Sequence, residues 1–241
     1  MLSVKKSVLP ALAVVAAGAA HADVSLLDAS MYASIVAGGN NATVGAVTFT
    51  SAATPARAAN FTTKTLFGQS GLGVTGGRTG DEIDIDETVA MSWAGGTAIK
   101  SFSVSVLFNG PEYSDWAEIA QVTAYNGAVL VGTGQLQVDA SADNLATFSG
   151  TGFGTVSNIA LADSANGGAW LVSNPFGNAA ITRLEFTAVT SDLCGYRECS
   201  NQSDFTLSTV TAVPEPESVA LMLAGLGVVG FVARRRGIAK A

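Results

Sequence analysis

Apolar and polar residues alternate with a period of two along much of this chain. Phe102, Val104, Val106 and Phe108 interleave with Ser101, Ser103, Ser105 and Leu107, and Leu184, Phe186 and Ala188 interleave with Arg183, Glu185 and Thr187. Neighbouring side chains of a strand point to opposite faces, so these runs predict strands with one buried face. Phe205 and Leu207 extend the pattern over 204–213, and further strands are predicted at 44–50, 61–67, 82–93, 118–125, 128–138, 156–161 and 169–173. Turn-forming residues separate the runs, among them Gly38-Gly39-Asn40-Asn41, Gly76-Gly77-Arg78 and Asn166-Gly167-Gly168. Asn126-Gly127 between two apolar runs is the strongest hairpin signal. Single helical turns fit 28–36 and 114–120. About ten short strands at this spacing predict an all-β domain, an antiparallel β-sandwich or jelly roll. A β-helix is disfavoured, because no repeat of fixed period is present.

The two ends break this pattern. Lys5 and Lys6 precede an apolar run at 8–18, and Ala20-His21-Ala22 then puts small residues at the positions a signal peptidase inspects. Residues 1–22 are therefore predicted to be a signal peptide, cut after Ala22. At the other end the last strand runs into Val213-Pro214-Glu215-Pro216, where the prolines enforce an extended segment. An uncharged run at 219–233 follows, then Arg234-Arg235-Arg236. A helix over 218–233 is predicted to enter the membrane, although 15 residues at ~1.5 Å rise span only about 22 Å. The arginines place its end on the cytoplasmic side and the body outside, which agrees with the signal peptide. The chain thus divides into 1–22, a β body at 23–213, and a tail at 214–241.

Charge narrows the function of the body. Between residues 23 and 213 stand 17 Asp and Glu and 6 Lys and Arg, a net of −11. Such a body repels phosphate backbones, which argues against nucleic acid as a partner. The single histidine, His21, falls in the predicted signal peptide. The mature chain would then lack imidazole for nucleophile–His catalysis or metal ligation. Cys194 and Cys199 are expected to pair as a disulfide in an oxidising compartment, closing a short loop.

The tail resembles the PEP-CTERM sorting signal, a short domain also labelled an ice-binding-protein C-terminal motif. Pro214-Glu215-Pro216, the apolar segment up to Ala233 and the Arg234, Arg235 and Arg236 cluster carry the resemblance, in order and at the extreme C-terminus. It implies a Gram-negative bacterium with an exosortase, a membrane enzyme that cuts near Pro-Glu-Pro and passes its substrate to the cell surface or exopolysaccharide matrix. This chain would be the substrate, anchored in the inner membrane as a precursor, with Glu215 as the recognised acid.

Within the body, Asp81, Glu82, Asp84, Asp86 and Glu87 put five carboxylates within seven positions. On one strand Glu82, Asp84 and Asp86 would share a face, and their repulsion could be relieved by a structural Ca²⁺ or by exposure at a solvated edge. The preceding glycine-rich stretch, 71–80, looks like segments of many PEP-CTERM surface proteins. Glycoside hydrolysis needs two carboxylates about 5–10 Å apart. Glu112, Asp115, Glu118 and Glu185 are available, with Trp93, Trp116 and Trp170 as sugar platforms, but no spacing singles out a pair. The expectation is a non-enzymatic surface or matrix protein, with no catalytic residues. A carbohydrate-binding adhesin that holds exopolysaccharide is the alternative, and a glycan-active enzyme the second alternative.

Overall fold

The computed structural model describes residues 23–109, 117–161, 168–191, 203–213, 225–227 and 229–230. The signal-peptide positions Ala20 and Ala22, the cysteines Cys194 and Cys199, and Pro214, Glu215, Pro216, Arg234, Arg235 and Arg236 lie outside the described residues, as do Glu112, Asp115 and Trp116.

Among the described residues fifteen strands form two antiparallel sheets. In chain order they are β1 (Val24–Leu27), β2 (Asn41–Val44), β3 (Val47–Ala53), β4 (Phe61–Leu66), β5 (Gln69–Val74), β6 (Ile83–Asp84), β7 (Glu87–Thr97) and β8 (Ile99–Leu107). They continue with β9 (Ile119–Asn126), β10 (Val129–Asp139), β11 (Ala142–Ser149), β12 (Thr155–Asn158), β13 (Gly168–Ser173), β14 (Ile181–Val189) and β15 (Asp204–Ala212). The first sheet has the order β12-β13-β8-β15-β5-β4, with β1 and β6 also paired to β15. The second has the order β11-β10-β9-β14-β7-β3-β2.

Inside these orders sit two four-stranded groups, β5-β15-β8-β13 and β7-β14-β9-β10. The chain crosses between them from β5 to β7, β7 to β8, β8 to β9, β10 to β13, β13 to β14 and β14 to β15. That winding is a jelly roll, one of the two architectures the alternation predicts. It also removes most free edges, since the first and last strands of the roll finish inside a sheet.

The sheets meet face to face through their alternating apolar residues. Phe102 of β8 packs edge-on against Phe186 of β14 at 5.5 Å and Phe148 of β11 at 5.9 Å. Phe49, Met91, Leu184, Val104, Leu207 and Val210 are fully buried around them. Each such side chain contributes about 1.5–3 kcal/mol through apolar burial. The expected helical turn at 28–36 is present as a 3₁₀ turn, Ala29–Met31, followed by α1 (Tyr32–Ala37). Asp28 caps it by accepting from the Ser30 amide at 2.9 Å. The other expected turn is not helical where it is described, because Ile119 and Ala120 belong to β9.

The alternation along β8 holds only as far as Val106. That residue has φ of 61° and lies at a register shift against β13, so Leu107 turns into the core and Phe108 turns out. A bulge exchanges the two faces of a strand. The serines of β8 are not solvent-facing either. Ser103 and Ser105 are buried with Thr206, because the β4–β5 hairpin lies across the outer face of the first sheet. Ser105 Oγ shares hydrogen bonds with Thr206 Oγ1 at 2.7 Å and Ser208 Oγ at 2.9 Å. Gly71 makes this roof possible, because a Cβ there would collide with Thr206.

Candidate functional site

The segment expected to be one acidic strand at 82–93 is broken at Asp86, whose φ is 69°. The break leaves β6 only two residues long and starts β7 at Glu87. The expected common face of Glu82, Asp84 and Asp86 therefore does not form. Glu82, Asp84 and Glu87 are buried, Asp81 is partly buried and Asp86 is exposed. The expected solvated edge is likewise replaced by buried, partnered carboxylates.

Each of these acids has a specific environment. Lys64 of β4 reaches Asp81 at 3.2 Å and Glu82 at 3.1 Å. Arg57 Nη2 donates to Glu87 Oε1 at 3.0 Å, and the Asp84 amide donates to Glu87 Oε2 at 3.0 Å. Asp84 accepts from the Thr79 amide and hydroxyl, both at 3.1 Å. It also stands beside buried Asp204 across the β6–β15 pairing. Burial pushes the Glu82 and Glu87 carboxyls above the usual range, more than Lys64 and Arg57 pull them down. Burial lowers the Lys64 ammonium, but Glu82 and Asp81 together carry it above its ordinary value.

Among the described residues no group of three or more acids, His or Cys is placed to hold a metal ion. Three of the five carboxylates, Asp81, Glu82 and Glu87, hold this irregular segment against the end of the sandwich by pairing with Lys64 and Arg57, while Asp84 is held by Thr79 and Asp86 is exposed. Lys64 and Arg57 escaped the sequence reading. The available signal was the scarcity of cations, since six in an acidic body leave few partners for buried carboxylates.

Beside this segment an open depression of about 380 Å³ is lined by Thr54, Ile85, Asp86, Thr88, Thr187 and Thr190, among others. Among the described residues, the glycosidase candidates Glu118 and Glu185 do not converge there. Glu118 is buried and accepts from the Phe108 amide at 2.5 Å, whereas Glu185 lies on the outer face of the second sheet, paired to Arg183 at 3.2 Å. Trp170 is 1% exposed and donates to the Leu107 carbonyl at 2.9 Å. It is a core residue, and the expectation of a sugar platform there is corrected. Trp93 is partly buried against the core.

The root of the tail is held firmly. Ala212 pairs with Ile99 of β8 on one side and Val24 of β1 on the other. The Val213 amide donates to the Ala98 carbonyl at 2.9 Å, and the Thr97 hydroxyl donates to the Val213 carbonyl at 2.5 Å. Lys100 pairs with Asp23 beside them. Backbone hydrogen bonds of the body therefore extend to Val213, the residue before Pro214 in the sequence. Among the described residues no helix is long and apolar enough to cross a membrane. Residues 225–227 and 229–230 are helical, with Leu226 and Val229 exposed.

These features define a jelly-roll body joined without a spacer to a separate C-terminal signal. Residues 212–236 match the PEP-CTERM protein-sorting motif, so the chain carries the signal that its tail resembles. The motif implies export and membrane-anchored sorting by an exosortase. Searches of curated proteins and of solved structures give no match to the chain.

Proposed function

We propose that this chain is a non-enzymatic protein of the cell surface or exopolysaccharide matrix, displayed as a jelly-roll body after an exosortase removes its tail. The observation that carries the reading is the junction, where the sorting motif starts at residue 212 and the last strand ends at Ala212. A fold that finishes where the signal begins leaves a complete body when the signal is cut away. In the precursor the segment at 218–233 enters the inner membrane. The extended Pro214-Glu215-Pro216 piece is then presented at the outer surface, where a protease cleft can hold it. The reading without turnover is supported by Glu118 and Glu185, which are held by the Phe108 amide and by Arg183 and do not converge on a common cleft.

The test is made in producing cells. Replacing Glu215 by Ala, or deleting Arg234, Arg235 and Arg236, is expected to leave uncut precursor in the inner membrane and to deplete the surface fraction. Unchanged delivery of both variants would sink the proposal.

A further inference from the structure

Strand pairing fixes which connections share an end of the sandwich. The tail end holds Val24, Ala212 and Ile99, which are mutually paired or adjacent through β15 and β8. The β7–β8 junction brings Thr97 there, and Thr97 pairs with Ile181. The β9–β10 turn joins them, since the Gly127 amide donates to Thr182 Oγ1 at 2.8 Å. So does the loop before β12, because Thr155 pairs with Ser173 and Ser173 with Ser101. The turn between β13 and β14 closes this end, connecting Ser173 to Ile181.

The residues of this end are unusual for so acidic a body. Segments 44–47, 93–99, 126–131, 149–155, 173–181 and 212–213 contain no charged residue. Asp23 and Lys100 stand beside them and neutralise each other. Of the nine large apolar side chains exposed on the described body, five are here: Val24 at 45%, Val129 at 68%, Leu130 at 58%, Phe153 at 53% and Val213 at 39%. The opposite end carries Asp81, Glu82, Asp84, Asp86, Glu87, Glu118, Asp139, Asp143 and Asp204.

We propose that the uncharged end is a bilayer-contacting surface, on which the precursor rests while its tail is anchored. The proposal builds on the sorting reading above. Its occupant follows from where the chain goes. Only five residues separate Val213 from the apolar run beginning at 219, which makes six Cα steps from Val213 to Val219. Fully extended they reach about 20 Å, so the tail end lies at or near the headgroups. Exposed Val, Leu and Phe side chains on two turns and both strand termini suit partial insertion at that interface. The acidic end sits roughly 30 Å further out, the length of β8 at ~3.4 Å per residue. That is several Debye lengths beyond an anionic surface, which would repel it at close range.

Signal cleavage after Ala22 would occur at this same end, one residue before β1. Both processing points then face the membrane together.

The test reconstitutes the mature full-length chain, residues 23–241, into vesicles of phosphatidylethanolamine and phosphatidylglycerol. Hydrogen exchange by mass spectrometry follows peptides covering 126–131 and 150–154 against peptides covering 76–82 and 139–145. The expected result is several-fold slower exchange at the first pair than in the tail-less body, with the second pair unchanged. Leu130→Asp, at a side chain already exposed, is expected to abolish the protection at 126–131 while tail anchoring persists. A chain that sediments with vesicles but exchanges identically at both ends overturns the bilayer contact alone. Failure to sediment with vesicles overturns the anchored-tail reading and this proposal with it.

Discussion

The two ends of this sandwich solve the problem of chain connection with opposite chemistry. At the tail end the turns are short and uncharged, built from Gly, Ala, Thr and Asn with exposed apolar tips. At the far end a long acidic segment is folded back, and its Glu82 and Glu87 are buried against Lys64 and Arg57. A short hairpin turn needs only backbone geometry, supplied at the tail end by Gly127 with φ of 58°. A long connection must satisfy its own polar groups, so the far end is where structure depends on charge. The difference teaches where each kind of substitution will be felt.

The largest expected effect is at the far end. Arg57→Ala leaves the Glu87 side chain, 0% exposed, without its cation. Loss of one partner of a buried pair costs about 3–5 kcal/mol, read as a large fall in urea midpoint. A fall no greater than that of an average surface mutant would show that water reaches Glu87 and that the two ends do not differ as described. Next is Gly73→Ala, where a Cβ would collide with the Asp81 carbonyl and displace the acidic segment. Overpacking of this kind costs about 1–3 kcal/mol. By contrast, Leu130→Asp at the tail end is expected to change stability by no more than about 0.5 kcal/mol, and a larger loss would mean that the turn is packed.

Acidity separates the ends in a second way. Glu82 and Glu87 have folded-state values raised above the ordinary 4.5. Folding therefore favours their protonated forms. Their contribution is fully present below the ordinary value and is lost as pH rises through the raised one. The melting temperature is expected to climb as pH falls from neutrality toward that range. Glu82→Gln with Glu87→Gln should flatten the climb, and an unchanged slope in the double variant would assign it elsewhere. The smallest expected effect is that of EDTA, which should leave the melting temperature unaltered because Lys64 and Arg57 already pair with Asp81, Glu82 and Glu87 and Thr79 holds Asp84. A clear drop would restore calcium to the segment at 81–87.

The architecture was legible where side chains obey one rule for a whole strand. β9, β10, β14 and β15 follow from alternation, and the Asn126-Gly127 turn follows from its dipeptide. β1, β2, β5 and β11 were missed for separate physical reasons. β5 contains Gly71 and Gly73, whose value is the close approach they allow and which carry no hydrophobic signal. β11 keeps its polar and apolar residues half-exposed at a sheet edge, so its pattern is faint. The acidic segment misled because period-two reading assumes an unbroken strand, and Asp86 breaks it with a left-handed residue. Trp170 was open to two readings, core residue or sugar platform, because an aromatic's exposure depends on neighbours supplied by distant strands. The tail needed no fold to be read, since its extended piece, apolar run and arginines are consecutive in the chain.

The central claim is that a finished jelly roll is released from a disposable tail that starts at its last strand. Intact-mass analysis of the protein recovered from the surface of producing cells tests it most directly. The expected species is a chain that begins at Asp23 and ends close to Pro214, Glu215 or Pro216. Surface material whose C-terminus still reaches Ala241 would contradict it.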